Sequence, residues 1–210
     1  MNPTEPVMSG HVHLNALAGP LAALYDDVER IDTWGRHMAR VLLGGGRLLA
    51  VGNGGSAAQA QHLTSELVGR YLGERPPLSA LALHAETSSL TSIVNDYGAD
   101  HGFARQVRAH GRPDDILVAL STSGRSANVV AAVDAANEGG LTTWALTGRG
   151  PNPISTRCRH GLEVDAPATA TVQEVHQVVI HLLCASLELE VSAFLSETSV
   201  SAEGNMRQST

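Results

Sequence analysis

Residues 47–72 read RLLAVGNGGSAAQAQHLTSELVGRYL. The run RLLAVG is short, apolar and closed by glycine, the pattern of a buried strand, and a longer helical stretch follows from about residue 56 to 72. A strand that passes through glycines straight into a helix is the first half of a βαβ unit. The alternation continues downstream: LSALALH (78–84), short helical pieces around 88–95 and 101–109, DILVALS (115–121), a helix at 126–138, TTWALTG (142–148), HGLEVDA (160–166) and a last helix from about 172 to 195. Short buried strands separated by helices predict right-handed crossovers and a parallel sheet covered on both faces. The expected fold is α/β, a three-layer sandwich around a parallel sheet of about five strands.

Upstream, Leu14, Leu17, Leu21, Leu24, Val28, Ile31, Met38, Val41 and Leu42 recur at helical spacing until Gly44–Gly46 stops the pattern. Residues 1–43 therefore read as an N-terminal helical segment of one or two helices, 44–196 as the α/β domain, and the small polar end, 197–210, as a mobile tail.

The chain has 210 residues, a length for one domain. With 43% hydrophobic and 17% charged residues it is neither disordered nor low-complexity. Fourteen Lys and Arg against 21 Asp and Glu give a net charge of −7 without a basic block, which disfavours nucleic acid as a direct ligand. Cys158 and Cys184 lie in no paired spacing, so disulfide scaffolds and zinc ribbons are disfavoured and a reducing compartment is expected. The first twenty residues lack the pattern of a secretory signal, and no eighteen apolar residues run together. The expectation is a cytoplasmic protein that does not enter a membrane.

Ligands of an open parallel sheet bind beyond the carboxyl ends of its strands. Gly52-Asn53-Gly54-Gly55-Ser56 leads from strand to helix there, and its glycines let an anion approach backbone N–H groups at the helix start. Ser121-Thr122-Ser123-Gly124-Arg125-Ser126 repeats this geometry with four hydroxyls around one glycine. One such hydroxyl is ordinarily a helix cap; four in six residues, beside N–H donors, suit a phosphate without a lysine. Gly52-x-Gly54-x-x-Ala57 also fits a loose dinucleotide fingerprint, but the next acid, Glu86, lies about thirty residues on rather than about twenty, and no lysine follows for a Walker loop.

His62 and Glu66 share one helix face, four residues apart. On the last helix Gln173, Gln177 and His181 drift across a face, and His176 points elsewhere. His and carboxylate donors suit zinc or a similar divalent ion, although His and Glu at this spacing are more often a plain surface pair. A straight helix separates Gln173 from His181 by about 12 Å. One ion shared by both then requires an irregular helix start or a ligand from another subunit.

Taken together, VGNGGSAAQAQHLTSELVGRY, the ERPPL turn, SLTSIVNDYG, FARQV, STSGRSANV, ALTG and VQEVHQVVIHLLC, in order from about Gly44 to Leu187, resemble the sugar isomerase (SIS) domain family and, within it, the phosphoheptose isomerases. The resemblance implies interconversion of a seven-carbon ketose and aldose phosphate by a homotetramer holding zinc, with sites near subunit interfaces. It implies metal ligands His62, Glu66, Gln173 and His181. It places sugar and phosphate contacts at Asn53, Gly54, Gly55, Ser56, Glu66, Asn95, Asp96, Ser121, Thr122, Ser123, Ser126 and Gln173. Isomerisation needs proton removal and return through an enediol, with Glu66 as base and His181 as acid. Gln59 and the pair Ala170-Thr171 depart from the family, which commonly carries an Asp near each place, so the sugar pocket loses two acceptors. Related SIS proteins also act without catalysis, as partners of the replication initiator DnaA or as sugar-phosphate sensors; the partner type lacks the Glu and late His kept here as Glu66 and His181.

Overall fold

The structure, a computed structural model, describes residues 9–207 and the side chains of 9–197. The outer ends of the N-terminal segment and the tail, residues 1–8 and 208–210, lie outside the described residues. Helices α1 (Gly10–Ala23) and α2 (Val28–Leu43) are joined by a 3-10 turn at Leu24–Asp27. The order continues β1 (Leu48–Val51), α3 (Gly55–Val68), β2 (Ala80–Ala82), α4 (Thr87–Tyr97), a 3-10 turn (Ala99–His101), α5 (Ala104–His110), β3 (Ile116–Ser121), α6 (Ala127–Glu138), β4 (Thr142–Gly148), β5 (His160–Val164) and α7 (Thr169–Arg207).

All strand pairs are parallel and the sheet order is β2-β1-β3-β4-β5. Alternate residues along each strand face opposite sides, and the core divides accordingly. Leu48, Ala50, Val118 and Trp144 pack with Ile31, Met38, Leu63, Val179 and Leu183 of α2, α3 and α7. Leu49, Val51, Leu117 and Ala145 pack with Val107, Val129 and Val133 of α5 and α6. The expected three-layer sandwich with five parallel strands is the fold.

Right-handed crossovers explain the layering. The path β1–α3–β2 moves one way along the sheet, and β3–α6–β4 moves the other way with its helix on the opposite face. The reversal lies between β1 and β3, and this order places a ligand crevice at their carboxyl ends.

Between β4 and β5, where the sequence predicts no helix, the chain runs through turns. Two local features differ from the sequence expectation. The helix expected over 56–72 ends at Val68, and 69–79 is loop. The last helix continues past residue 195 to Arg207. By length and composition it would span a membrane over Thr169–Glu197, yet Val172, Val175, Val179, Leu183 and Leu187 are core residues.

Candidate active site

Both predicted loops lie at the reversal point. Gly54 has φ 54°, a conformation that glycine adopts without strain. A Cβ on Gly52 would stand 2.7 Å from the Ser56 carbonyl, and one on Gly55 would overlap the Gln173 side-chain amide. The glycine loop is tied to the start of α6 by a reciprocal amide pair: Asn53 Nδ2 donates to Asn128 Oδ1 at 2.9 Å, and Asn128 Nδ2 to Asn53 Oδ1 at 3.0 Å. Sequence reasoning missed Asn128, which carries no charge or ligating group to mark it.

The serine loop gathers its hydroxyls. Ser121 Oγ is 3.3 Å from Ser126 Oγ and 3.5 Å from Ser123 Oγ, while Ser123 Oγ accepts from the Arg125 N–H at 3.2 Å. Ser126 occupies the cap position of α6 but makes no side-chain capping bond; its hydroxyl turns to Ser121 instead. Half-buried Thr122 fits its carbonyl against Gly148. Gly124 turns the loop at φ 62°.

The second cluster lies where α3 and α7 run together. His62 Nε2 is 3.0 Å from His181 Nε2 and 3.3 Å from Glu66 Oε1, and all three side chains are half-buried. One donor atom from each lies within 4.8 Å of the others. Two imidazole nitrogens and a carboxylate oxygen at this separation are the donor set and spacing that a divalent ion with bonds of about 2.0–2.2 Å requires. Tyr71 stands over His181, ring centroids 5.6 Å apart.

Gln173 does not meet His181 within the chain. Helix α7 is continuous from Thr169, and Gln173 sits at its loop end, side chain against Gly55 and carbonyl accepting from Gln59 Nε2 at 2.6 Å. Gln177 is the amide beside His181, Nε2 to Nε2 3.2 Å. Asn95 and Asp96 are exposed at the end of α4 and bonded to each other at 2.8 Å; among the described residues no hydrogen bond links them to either loop. Glu86, the displaced dinucleotide acid, is a helix cap, accepting from the N–H groups of Ser88 and Ser89. His176 is fully buried against the Thr147 carbonyl at 3.2 Å, and burial pushes its pKa down to about 4.

Residues 16–148 match the SIS domain model. A phosphoheptose isomerase of Streptomyces coelicolor is 58% identical over 176 residues, covering 84% of this chain and 76% of that protein. The structure of the phosphoheptose isomerase GmhA from Neisseria gonorrhoeae superposes with a TM-score of 0.78 at 40% identity, over 85% of this chain and 96% of that one. A phosphoheptose isomerase from Francisella tularensis gives 0.75 at 32%, over 86% and 98%. The glycine loop, the serine loop and the histidine-glutamate cluster thus lie in a chain that belongs to the SIS-domain family and, within it, to the phosphoheptose isomerases, which are sugar-phosphate isomerases.

Proposed function

We propose that the chain interconverts D-sedoheptulose 7-phosphate and D-glycero-D-manno-heptose 7-phosphate, moving the carbonyl between C2 and C1 through an enediol. The observation that carries this reading is the meeting of His62, Glu66 and His181 two helical turns from the loop crevice. Two turns of α3 span about 10 Å from Gly55 to His62. An extended seven-carbon chain, with carbon–carbon bonds near 1.5 Å, spans ~9–10 Å from its phosphate ester to C1. Phosphate at the loops therefore brings the carbonyl end to the cluster.

Hydroxyls of Ser121, Thr122, Ser123 and Ser126 donate to the phosphate, as do N–H groups at the start of α3, from Gly54 to Ser56. Asn53, Asn95, Asp96 and Gln173 hold sugar hydroxyls. Glu66 takes the proton beside the carbonyl and returns it one carbon over; His181 moves the proton on oxygen. His62, Glu66 and His181 fit a divalent ion such as zinc, which when bound polarises a carbonyl. With α7 unbroken, a Gln173 ligand has to come from a second copy of the chain, which supports a homotetramer with shared sites. Helix α1 supports this too, since it buries none of its residues and leaves Val12 and Leu14 more than half exposed. In this reading residues 1–43 serve assembly, 44–196 form the isomerase domain with 197–210 as a tail, and the enzyme works in the cytoplasm.

The test is incubation of metal-loaded protein with sedoheptulose 7-phosphate while aldose formation is followed. Turnover supports the reading. No turnover with zinc present overturns it in favour of an initiator-binding partner or a sensor.

A further inference from the structure

We infer that Tyr71 is a positioning residue for the proton-transfer pair, held over His181 by a clamp built from Glu188 and the buried Arg75; this rests on the isomerase reading above. After α3 ends at Val68 the chain turns back, and three successive N–H groups of the turn converge on one carboxylate. Glu188 Oε1 accepts from Tyr71 and Leu72, both at 3.1 Å, and Oε2 from Leu72 at 3.2 Å and Gly73 at 3.0 Å. Hydrogen bonds to a charged acceptor are the strong kind. Glu188 lies two turns beyond His181 on the same face of α7, so the helix that carries the imidazole also grips the loop that covers it.

The other half of the clamp reaches Glu66. Arg75 is 7% exposed, and its guanidinium donates to the backbone carbonyls of Glu66, Leu67 and Pro76. The last carbonyls of a helix lack internal partners, and a water or a hydroxyl would satisfy them. Here a buried cation does so, and its Nε stands 3.8 Å from the Glu188 carboxylate. The residue carrying the base, the loop and the helix carrying the acid are thereby joined through one ion pair. The charges surround Cys184, whose thiol is pushed up to about 12 by burial first and then by Glu66 and Glu188, with Arg75 opposing.

The purpose of the clamp follows from the exposure of its target. His181 is half-buried, and among the described residues its hydrogen-bond contacts both fall on Nε2, which leaves the rest of the ring to be held by packing alone. The Tyr71 ring, tilted 32° to the imidazole and half-buried against the core, supplies that packing on one side, with the His62 ring edge-on at 5.2 Å. Misplacing a reacting group by about 1 Å lowers rate by about a hundredfold.

The experiment compares Tyr71→Leu with Tyr71→Phe. Tyr71→Leu is expected to lower kcat by about tenfold to a hundredfold with KM within about twofold, because the phosphate loops are untouched. Tyr71→Phe, which keeps the ring, restores kcat. Glu188→Gln, left with one oxygen for three N–H donors, is expected to show the same kcat loss; where it fails to fold, the Tyr71 pair still decides. Wild-type kcat in Tyr71→Leu, or a loss confined to KM, overturns the inference. If the unmodified protein turns over no ketose phosphate, the isomerase reading has failed and the His181 ring-nitrogen NMR signals decide alone. A shift or broadening in Tyr71→Leu and not in Tyr71→Phe supports positioning, and unchanged signals in both overturn it.

Discussion

Replacing Gly124 by alanine tests how the serine loop is held. Gly124 has φ 62°, and its Cβ would overlap the side-chain amide of Asn152, itself 4% exposed. That amide donates to Thr147 Oγ1 at 2.9 Å and accepts from the Ser155 N–H at 3.0 Å. The left-handed conformation costs an L-residue about 1–2 kcal/mol, and two displaced hydrogen bonds cost about 1 kcal/mol each. The sum, about 3–4 kcal/mol, leaves a typical domain of about 5–15 kcal/mol folded. At a urea dependence of about 2–3 kcal/mol per molar, the unfolding midpoint should fall by about 1–2 M. Relief of the overlap also moves Ser121 and Ser123, and loss of one hydrogen bond to a charged group, about 1.5–3 kcal/mol, weakens phosphate binding at least tenfold. Urea titration followed by the fluorescence of buried Trp34 and Trp144 reads the first effect, and calorimetry with a sugar phosphate reads the second. Gly140→Ala is the control. Its φ is 75°, but a Cβ there meets nothing closer than Pro113 at 3.7 Å, so it carries the backbone strain alone. If Gly124→Ala loses no more stability and no more affinity than Gly140→Ala, the loop is not held by the Asn152 packing.

Ser123→Ala should weaken sugar-phosphate binding by about 1.5–3 kcal/mol in a calorimetric titration, and unchanged affinity would remove the phosphate assignment. Glu66→Gln should lower turnover by about 10²–10⁴-fold with binding retained, whereas His62→Ala should be partly rescued by excess zinc; near-normal turnover in Glu66→Gln would mean that the base is another residue. His176, neutral in the fold with its pKa down at about 4, binds a proton more readily when unfolded. Its stabilising contribution is complete above about pH 6.5 and is lost toward pH 4, by about 1.4 kcal/mol per pH unit. Urea midpoints measured across that range should fall less steeply in His176→Gln, and equal slopes would place the acid sensitivity elsewhere.

The fold was legible because its strands are contiguous apolar runs and its helices carry repeating apolar faces, signals that local chemistry writes into neighbouring residues. The glycine loop and the serine loop were legible for the same reason, each being one unbroken stretch. The stretch between TTWALTG and HGLEVDA carries no helical period, and turns do link β4 to β5 there. The parts of the site made between distant residues divide by chemistry. His62, Glu66 and His181 stood out as groups that ligate metals or move protons, but Arg75, Glu188 and Tyr71 did not. A buried arginine looks in sequence like an exposed one, and Glu188 shows its role only once α7 lies beside the turn at 71–73. Gln173 and Gln177, one turn apart, could be told apart only by knowing that α7 is unbroken.

Gln59 makes a bond inside the protein that an aspartate in its place could not make. Its side chain is 8% exposed, and Nε2 donates to the Gln173 carbonyl at 2.6 Å, fastening the start of α7 to α3 directly behind the glycine loop. An aspartate cannot make this bond: when ionised it only accepts, and two acceptors would face each other in a buried place. A chain with Asp at this position must therefore seat the beginning of its last helix differently, or turn the carboxylate toward the ligand. Here the amide is spent inside the protein, and Thr171, fully buried with its hydroxyl unpartnered, is likewise turned away from solvent. In the proposed reading, substrate hydroxyls in the middle of the sugar then have fewer acceptors, while the glycine and serine loops and the histidine-glutamate cluster keep their donors. On that reading, discrimination is expected to fall on the ends of the substrate, its phosphate and its carbonyl, more than on the configuration of the carbons between them.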